Sequence, residues 1–185
     1  LLNRWGKDDP ATRQEAIDAI RQEADSMKEL VEQLLFLARG DNDSMHIEME
    51  TFDLTEVAAE VLKETGMIDQ THTFSARWEG AVPVCADVGL TKQALRILVD
   101  NSIKYTPAGG HITLSAALRD GMARLSVQDE GQGIDAGSLP HVFDRFYRTD
   151  QSRARQTGGT GLGLAIAKWI VDRHGGWFEV VSRED

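Results

Sequence analysis

The sequence lacks features on which several classes of protein depend. Its 185 residues include one cysteine, Cys85, so an internal disulfide framework is excluded. An uncharged, glycine-rich run at residues 156–167 has only 12 residues. A membrane-spanning helix needs roughly 20, and we expect no such helix in this chain. Basic residues number 20 against 30 acidic ones, which disfavours a nucleic-acid surface because phosphate neutralisation supplies most of that affinity.

The chain does contain enough apolar material for a core. Hydrophobic residues make up 41% of it, which suffices for one or two globular domains. The net charge of -10 is unevenly distributed. Residues 41–66 carry eight acidic side chains and one basic one, whereas residues 67–185 carry 14 acidic and 13 basic ones. The excess of negative charge therefore lies mainly in residues 41–66 and does not exclude an anionic ligand in the nearly neutral C-terminal part.

The first part of the chain has the apolar spacing of a bundle helix. Pro10 suits a first helical position and Gly40 suits a helix end. Between them, the spacing of a heptad seam is kept by Ile17, Ile20, Ala24, Met27, Val31, Leu34 and Ala38. The seam predicts a helix of a four-helix bundle, and Ala16, Leu30 and Leu37 widen the apolar stripe on one flank. An ordinary amphipathic helix packed on its own domain is the alternative.

The remainder of the chain predicts a mixed domain. A polar segment at residues 41–45 is the expected linker. Strands are expected near residues 46–52, 72–78, 82–86, 112–118, 123–128 and 177–181, and helices near residues 54–66, 90–105 and 162–173. Asp120 and Gly121 mark a hairpin turn. Because strands and helices do not alternate strictly, we predict an α+β sandwich with helices on one face of a mixed sheet.

Three polar or glycine-rich segments suit a ligand. They are residues 100–106, DNSIKYT; residues 129–133, DEGQG; and residues 158–164, GGTGLGL. Taken singly, the three have ordinary explanations as a solvated helix face, a turn and a flexible loop. Taken together, they indicate a purine nucleotide with Mg²⁺.

Each segment has groups that suit a different part of this ligand. Asn101 has a neutral oxygen for Mg²⁺, and Lys104, on the same helical face, has a point charge for a phosphate. Asp129 can accept a hydrogen bond from an exocyclic amine. Gly131 and Gly133 beside it allow a close approach of the backbone. The last segment leads into a helix N-terminus, which favours phosphate oxygens.

These segments give the chain a resemblance to the C-terminal kinase part of bacterial sensor histidine kinases of two-component systems. Residues 100–106 resemble the N box of that family, 129–133 its G1 box, 143–148 its F box and 159–164 its G2 box. The order and spacing of the four boxes are specific, and the resemblance covers essentially the whole chain.

The resemblance implies three regions. Residues 1–40 would be a partial dimerisation and phosphotransfer hairpin, comprising the end of its first helix and its second helix. Residues 41–45 would be the linker. Residues 46–185 would be a catalytic ATP-binding domain, truncated at its C-terminus. Its fold would be the two-layer α/β sandwich shared by gyrase, heat-shock chaperones, histidine kinases and mismatch-repair ATPases.

The resemblance also implies a ligand set, with ATP and Mg²⁺ bound in one site. The nucleotide-binding residues would be Asn101, Lys104, Tyr105, Asp129, Gly131, Gly133, Ile134, Arg148, Gly159, Thr160, Gly161, Leu162, Gly163 and Leu164. Asn101 would bind the metal, Tyr105 would lie against the adenine, and Arg148 would reach a phosphate. Residues 144–160 would form a lid. Phe143 and Phe146 would be hinge or docking residues, with core packing as the alternative.

The family's phosphoacceptor histidine has no counterpart among the five histidines of this chain, and its box is expected upstream of Leu1. We therefore expect the chain to bind Mg-ATP without autophosphorylating. The implied partners are a second copy, through the hairpin, and the receiver domain of a response regulator. Membrane contact is expected only through upstream segments, which would place this part on the cytoplasmic side of a membrane-anchored protein.

Ile97 departs from the family pattern, one turn before Asn101. Related ATPases place a Glu there to activate water, and an aliphatic side chain cannot act as a general base. This favours phosphoryl transfer over hydrolysis. The alternatives are an ATPase of the same superfamily and a non-catalytic, nucleotide-sensing dimerisation module.

Overall fold

A computed structural model describes residues 10–42, 44–149 and 159–183. One long helix precedes a domain of short strands and three helices. The elements in chain order are α1 (Pro10–Asp41), β1 (Glu50–Asp53), α2 (Leu54–Ile68), β2 (Thr73–Trp78), β3 (Pro83–Ala86), α3 (Val88–Tyr105), β4 (His111–Arg119), β5 (Met122–Asp129), a short 3₁₀ helix (Leu139–His141) and α4 (Gly163–Arg173). Within the described ranges, no helix combines the length and the apolarity needed to cross a membrane.

The strands form two sheets, one of them mixed. β1 pairs with β3 in antiparallel orientation. In the larger sheet, β4 lies between β2, which is parallel to it, and β5, which is antiparallel. The turn between β4 and β5 has positive φ angles at Asp120 (51°) and Gly121 (77°), as a type I′ hairpin requires. The predicted α+β class and hairpin are therefore confirmed.

The main core lies between the larger sheet and helices α2 and α3. Alternate residues of β4 are fully buried, among them Ile112 and Leu114. They pack against Val61 of α2 and against Leu95 and Val99 of α3. Burying a side chain of this kind contributes about 1.5–3 kcal/mol, so this cluster fixes α3, which carries the N box, on the sheet.

A second core joins α1 to the glycine-rich end of the domain. Leu37 of α1 is 2% exposed and packs with Leu162, Ile166 and Ile170. Phe36 adds an edge-to-face contact with Trp169 of α4, with the ring centroids 5.3 Å apart. The widened flank of the apolar stripe is thus used within the chain.

The heptad seam of α1 lies on the surface instead. Ile20 is 58% exposed, Met27 60% and Val31 52%. The helix therefore has two apolar sides, one packed on the domain as the alternative interpretation requires, and one left for another contact.

The strand predicted at residues 177–181 is wrong, because residues 176–183 contain no strand. Aromatic and β-branched residues favour a strand, but a strand also needs a neighbouring backbone with which to pair. Side chains hold the segment in place. The Phe178 ring lies 4.8 Å from that of Phe143, and Ser182 Oγ accepts a hydrogen bond of 2.7 Å from Ile134 N–H.

Candidate nucleotide-binding site

The last two turns of α3 present the predicted metal and phosphate ligands. Asn101 is half-buried, and its Nδ2 donates to the Ile97 carbonyl at 3.0 Å. This bond engages the amide nitrogen, so the amide oxygen is the atom suited to a hard cation such as Mg²⁺. Lys104 follows three residues later, on the same face of the helix. Its Nζ lies 5.3 Å from the centroid of the Tyr105 ring.

Lys104 also joins the N box to the glycine-rich segment. A Cβ built on Gly159 would overlap Lys104 Nζ. The lysine ammonium therefore lies directly against the backbone at the start of that segment. A cation beside a glycine-rich turn that leads into a helix is an arrangement suited to phosphate oxygens.

The carboxylate of Asp129 is held in place from two sides. Its Oδ2 accepts from Ser102 Oγ at 2.9 Å, and its Oδ1 accepts from Gly131 N–H at 2.9 Å. Ser102 is 5% exposed, and the sequence interpretation assigned it no role. Its position next to Asn101, on the side of α3 that faces the core, is the sequence feature that could have pointed to this role.

The geometry of the turn after Asp129 requires glycine at two positions, 131 and 133. A Cβ on Gly131 would lie 2.7 Å from Asp129 Oδ1 and 3.0 Å from the Tyr105 carbonyl oxygen. Gly133 has a φ of +74°, a conformation that L side chains seldom adopt. Gln132 N–H donates to the Tyr105 carbonyl at 3.4 Å. The G1 turn and the end of α3 are therefore in direct contact.

The segment before α4 folds against the F box. A Cβ on Gly161 would lie 2.8 Å from the carbonyl carbon of Phe146, whose N–H donates to the Gly161 carbonyl at 2.9 Å. Thr160 Oγ1 accepts from Leu162 N–H at 3.2 Å. The Leu162 side chain is fully buried in the core, so this residue can meet a ligand only through its backbone. Gly163 lies against Ile97 of α3.

Comparison with known proteins identifies the family. Residues 86–185 match the model of the histidine kinase-, DNA gyrase B- and HSP90-like ATPases. The chain belongs to this family. The sensor histidine kinase YkoH of Bacillus subtilis is 43% identical over 183 residues, which are 99% of this chain and 40% of YkoH. The chain thus spans about 40% of the length of such curated relatives.

Two solved histidine kinases are similar to the chain in structure. Full-length ShkA in complex with AMPPNP has a TM-score of 0.74 and 26% identity, over 88% of this chain and 34% of ShkA. ThkA in complex with the response regulator TrrA has a TM-score of 0.72 and 26% identity, over 94% of this chain and 48% of ThkA. The chain therefore contains the catalytic ATP-binding domain of a sensor histidine kinase, preceded by a long helix.

Three further predicted site residues of this histidine kinase domain are only partly exposed. Leu164 in α4 is half-buried, as are Ile134 and Arg148. Of the two F-box aromatics, Phe143 packs on Phe178, whereas Phe146 is 56% exposed and has a φ of +64°. The rest of the predicted lid, with Arg153, Arg155 and Gly158, lies outside the described residues.

Helix α1 contacts this kinase site through two polar pairs. Thr160 Oγ1 bonds with Gln33 Oε1. The Asp41 carboxylate accepts hydrogen bonds from both terminal nitrogens of Arg145, at 2.7 and 2.8 Å. The bond with Arg145 is the main reason that the pKa of Asp41 lies below its ordinary value. These contacts bring together residues more than 100 positions apart, and no sequence motif predicts them.

Proposed function

We propose that this chain binds Mg-ATP and transfers the γ-phosphoryl group to a histidine outside the chain, from which it passes to an aspartate of a receiver domain. The observation that carries the proposal is the meeting of three separate motifs. Lys104 of the N box lies against Gly159, and Tyr105 lies against Gly131 of the G1 turn. These contacts support a single site that combines side chains suited to adenine, phosphate and metal.

The residues fit Mg²⁺ and the nucleotide by their own chemistry. The Asn101 oxygen would hold the metal, which neutralises charge on the phosphates when bound. Lys104 would pair with a phosphate. Asp129, oriented by Ser102, would accept from the adenine amino group, and Gly131 allows the backbone to lie close to this carboxylate. The chain contributes positioning and charge neutralisation, which supply most of the catalysis in phosphoryl transfer.

The proposed reaction transfers one phosphoryl group in two steps. A nitrogen of the acceptor imidazole bonds to the γ-phosphorus, and the bond to the β–γ bridging oxygen breaks, releasing ADP. An aspartate carboxylate of the receiver domain then takes the group from the histidine. The similarity to ThkA, solved with a response regulator, supports a partner of this class.

The surface of α1 supports a homodimer. Its seam, with Ile20, Met27 and Val31 more than half exposed, has the spacing of a bundle interface. Because Leu37, on the other flank of the helix, packs into the core of the domain, the seam is the side of α1 that is left for a second copy.

Calorimetry with Mg-ATP tests the nucleotide site. Asn101→Ala should weaken binding at least tenfold in the presence of Mg²⁺ and much less with EDTA, because only the metal contact is lost. Asn42→Ala is a matched control, since Asn42 Nδ2 also donates to a carbonyl four residues earlier, that of Ala38, at 2.8 Å. Equal affinity for wild-type protein and Asn101→Ala would refute the assignment.

Radiolabelled ATP tests the reaction. The chain alone should take up no stable label, whereas a version extended upstream to include an acceptor histidine should become labelled. Label on a histidine of this chain, or steady phosphate release without an acceptor, would contradict the proposal, and the second outcome would favour an ATPase.

A further inference from the structure

A buried histidine–aspartate pair lies at the end of α3, outside the set of residues assigned to the nucleotide. The side chains of His72 and Asp69 are 6% and 11% exposed. His72 Nδ1 lies 2.7 Å from Asp69 Oδ2 and 3.0 Å from Thr71 Oγ1, and His72 Nε2 lies 3.1 Å from the Thr106 carbonyl oxygen. Since a carboxylate and a carbonyl can only accept, both ring nitrogens must carry a proton. The geometry is that of an imidazolium.

The surroundings favour this charged form. Hydrogen bonding to Asp69 is the main cause that raises the pKa of His72, against the opposing effect of burial. Burial raises the pKa of Asp69, but bonds from Thr71 and His72 outweigh it and hold that pKa at about 2. The groove beside the pair is lined by three further charged groups, Glu64, Arg96 and Asp100.

Those three groups have charged partners of their own. Glu64 accepts from Lys92 Nζ at 3.0 Å and pairs with Arg96. Burial raises the pKa of Asp100, and the charge of Arg96 opposes that effect. On β4, His111 bonds instead with Ser75, at 2.8 Å. Among the described residues, Asp69 is therefore the charged group that faces His72 directly.

Thr106 connects this pair to the nucleotide site. It is the C-cap of α3, and its N–H donates to the Ser102 carbonyl at 2.9 Å. The preceding carbonyl, that of Tyr105, contacts Gly131 and accepts from Gln132. A cation at a helix C-terminus is favoured by the helix dipole. The imidazolium thus holds the turn at which the N box and the G1 box meet.

We propose that protonated His72 is a positioning residue for the nucleotide site, because it fixes the Thr106 carbonyl and with it the turn that carries Lys104 and Tyr105. A neutral ring has only one N–H and must give up either Asp69 or Thr106. Binding of Mg-ATP is therefore strongest below pH 6.5, the ordinary region for histidine, and weakens as the pH rises through the higher pKa of His72. The inference rests on the proposed function.

Nucleotide affinity measured from pH 5.5 to 9 tests the inference. The probe is Mg-AMPPNP, titrated into wild-type protein, His72→Gln, Asp69→Asn and, as a control, His46→Gln at an exposed histidine. Phosphate groups of the probe titrate in the same range, so the readout is the affinity ratio between wild type and His72→Gln. The affinity of wild type divided by that of His72→Gln should fall about tenfold as the pH rises from 5.5 to 9. In Asp69→Asn the midpoint of the decline should move to lower pH, and His46→Gln should match wild type.

Histidine NMR of the wild-type protein gives a second, mutation-free readout. Linkage requires that the ligand raise the pKa of His72 by about one unit if protonation strengthens binding tenfold. An unchanged pKa on addition of Mg-AMPPNP, or a constant affinity ratio across the pH range, would overturn the inference while leaving the proposed function intact. Absence of binding at every pH would instead overturn the proposed function itself, and this inference with it.

Discussion

Replacing Gly131 with alanine is the most direct test of the geometry around Asp129, the proposed adenine acceptor. The added methyl group would lie 2.7 Å from Asp129 Oδ1 and 3.0 Å from the Tyr105 carbonyl oxygen. Both separations are well below an ordinary contact, which for carbon atoms is about 3.5–4.0 Å. The Tyr105 oxygen belongs to the backbone, so the side chain of Asp129 must rotate away. Rotation gives up its hydrogen bond from the N–H of residue 131.

The size of the effect follows from these two terms. Forcing a methyl group into a packed position costs about 1–3 kcal/mol. Losing a hydrogen bond to a carboxylate costs about 1.5 kcal/mol, the low end of the usual range, because Asp129 is exposed. We therefore expect Gly131→Ala to lower the free energy of unfolding by about 2.5–4.5 kcal/mol, the sum of the two terms. Since the displaced carboxylate is the predicted adenine acceptor, affinity for Mg-ATP should fall at least tenfold, as roughly 1.4 kcal/mol corresponds to a factor of ten.

Gly66→Ala is the matched control. Gly66 lies within α2, and a Cβ built on it has no atom within 4 Å. Alanine in a helix interior should raise stability by about 1 kcal/mol and leave the affinity unchanged. Urea unfolding and calorimetry measure the two quantities separately. If Gly131→Ala binds Mg-ATP with wild-type affinity, the close contact with Asp129 does not shape the site and the reasoning fails.

Two further predictions concern stability. Leu37→Ala should lower the free energy of unfolding by about 2–5 kcal/mol in urea titrations, because Leu37 is 2% exposed. At concentrations low enough to keep the chain monomeric, Val31→Ala, at a 52% exposed seam position, should change it by less than about 0.5 kcal/mol. Equal effects would mean that α1 does not dock as described. In thermal unfolding across pH, Asp69 contributes above about pH 4 and loses its contribution as the pH falls toward its pKa of about 2, while His72 contributes below about pH 6.5 and loses its contribution as the pH rises through its raised pKa. The double variant Asp69→Asn/His72→Gln should therefore differ most from wild type between these limits, and a difference independent of pH would contradict the imidazolium.

The long elements of the fold were predictable because their signals extend over many residues. The apolar repeat of α1 and the hairpin at Asp120 and Gly121 are examples, and both occur as expected. The strand predicted at residues 177–181 was wrong because strand formation depends on a paired neighbour as well as on the residue types of the segment itself. Contacts such as Ser102 to Asp129 and Gln33 to Thr160 depend on how distant elements pack. Motif residues could therefore be found from the sequence, but the residues that orient them could not.

Ile97 shows how packing and chemistry act at one position of α3. Its carbonyl accepts from Asn101, and its side chain packs 3.3 Å from the Cβ position of Gly163, within the apolar cluster between α3 and α4. A Glu at this site would have to bury a carboxylate among aliphatic groups, which is costly without a partner. An aliphatic residue closes the interface beneath the glycine-rich segment and cannot activate water. This packing therefore supports the proposed transfer to a histidine over hydrolysis.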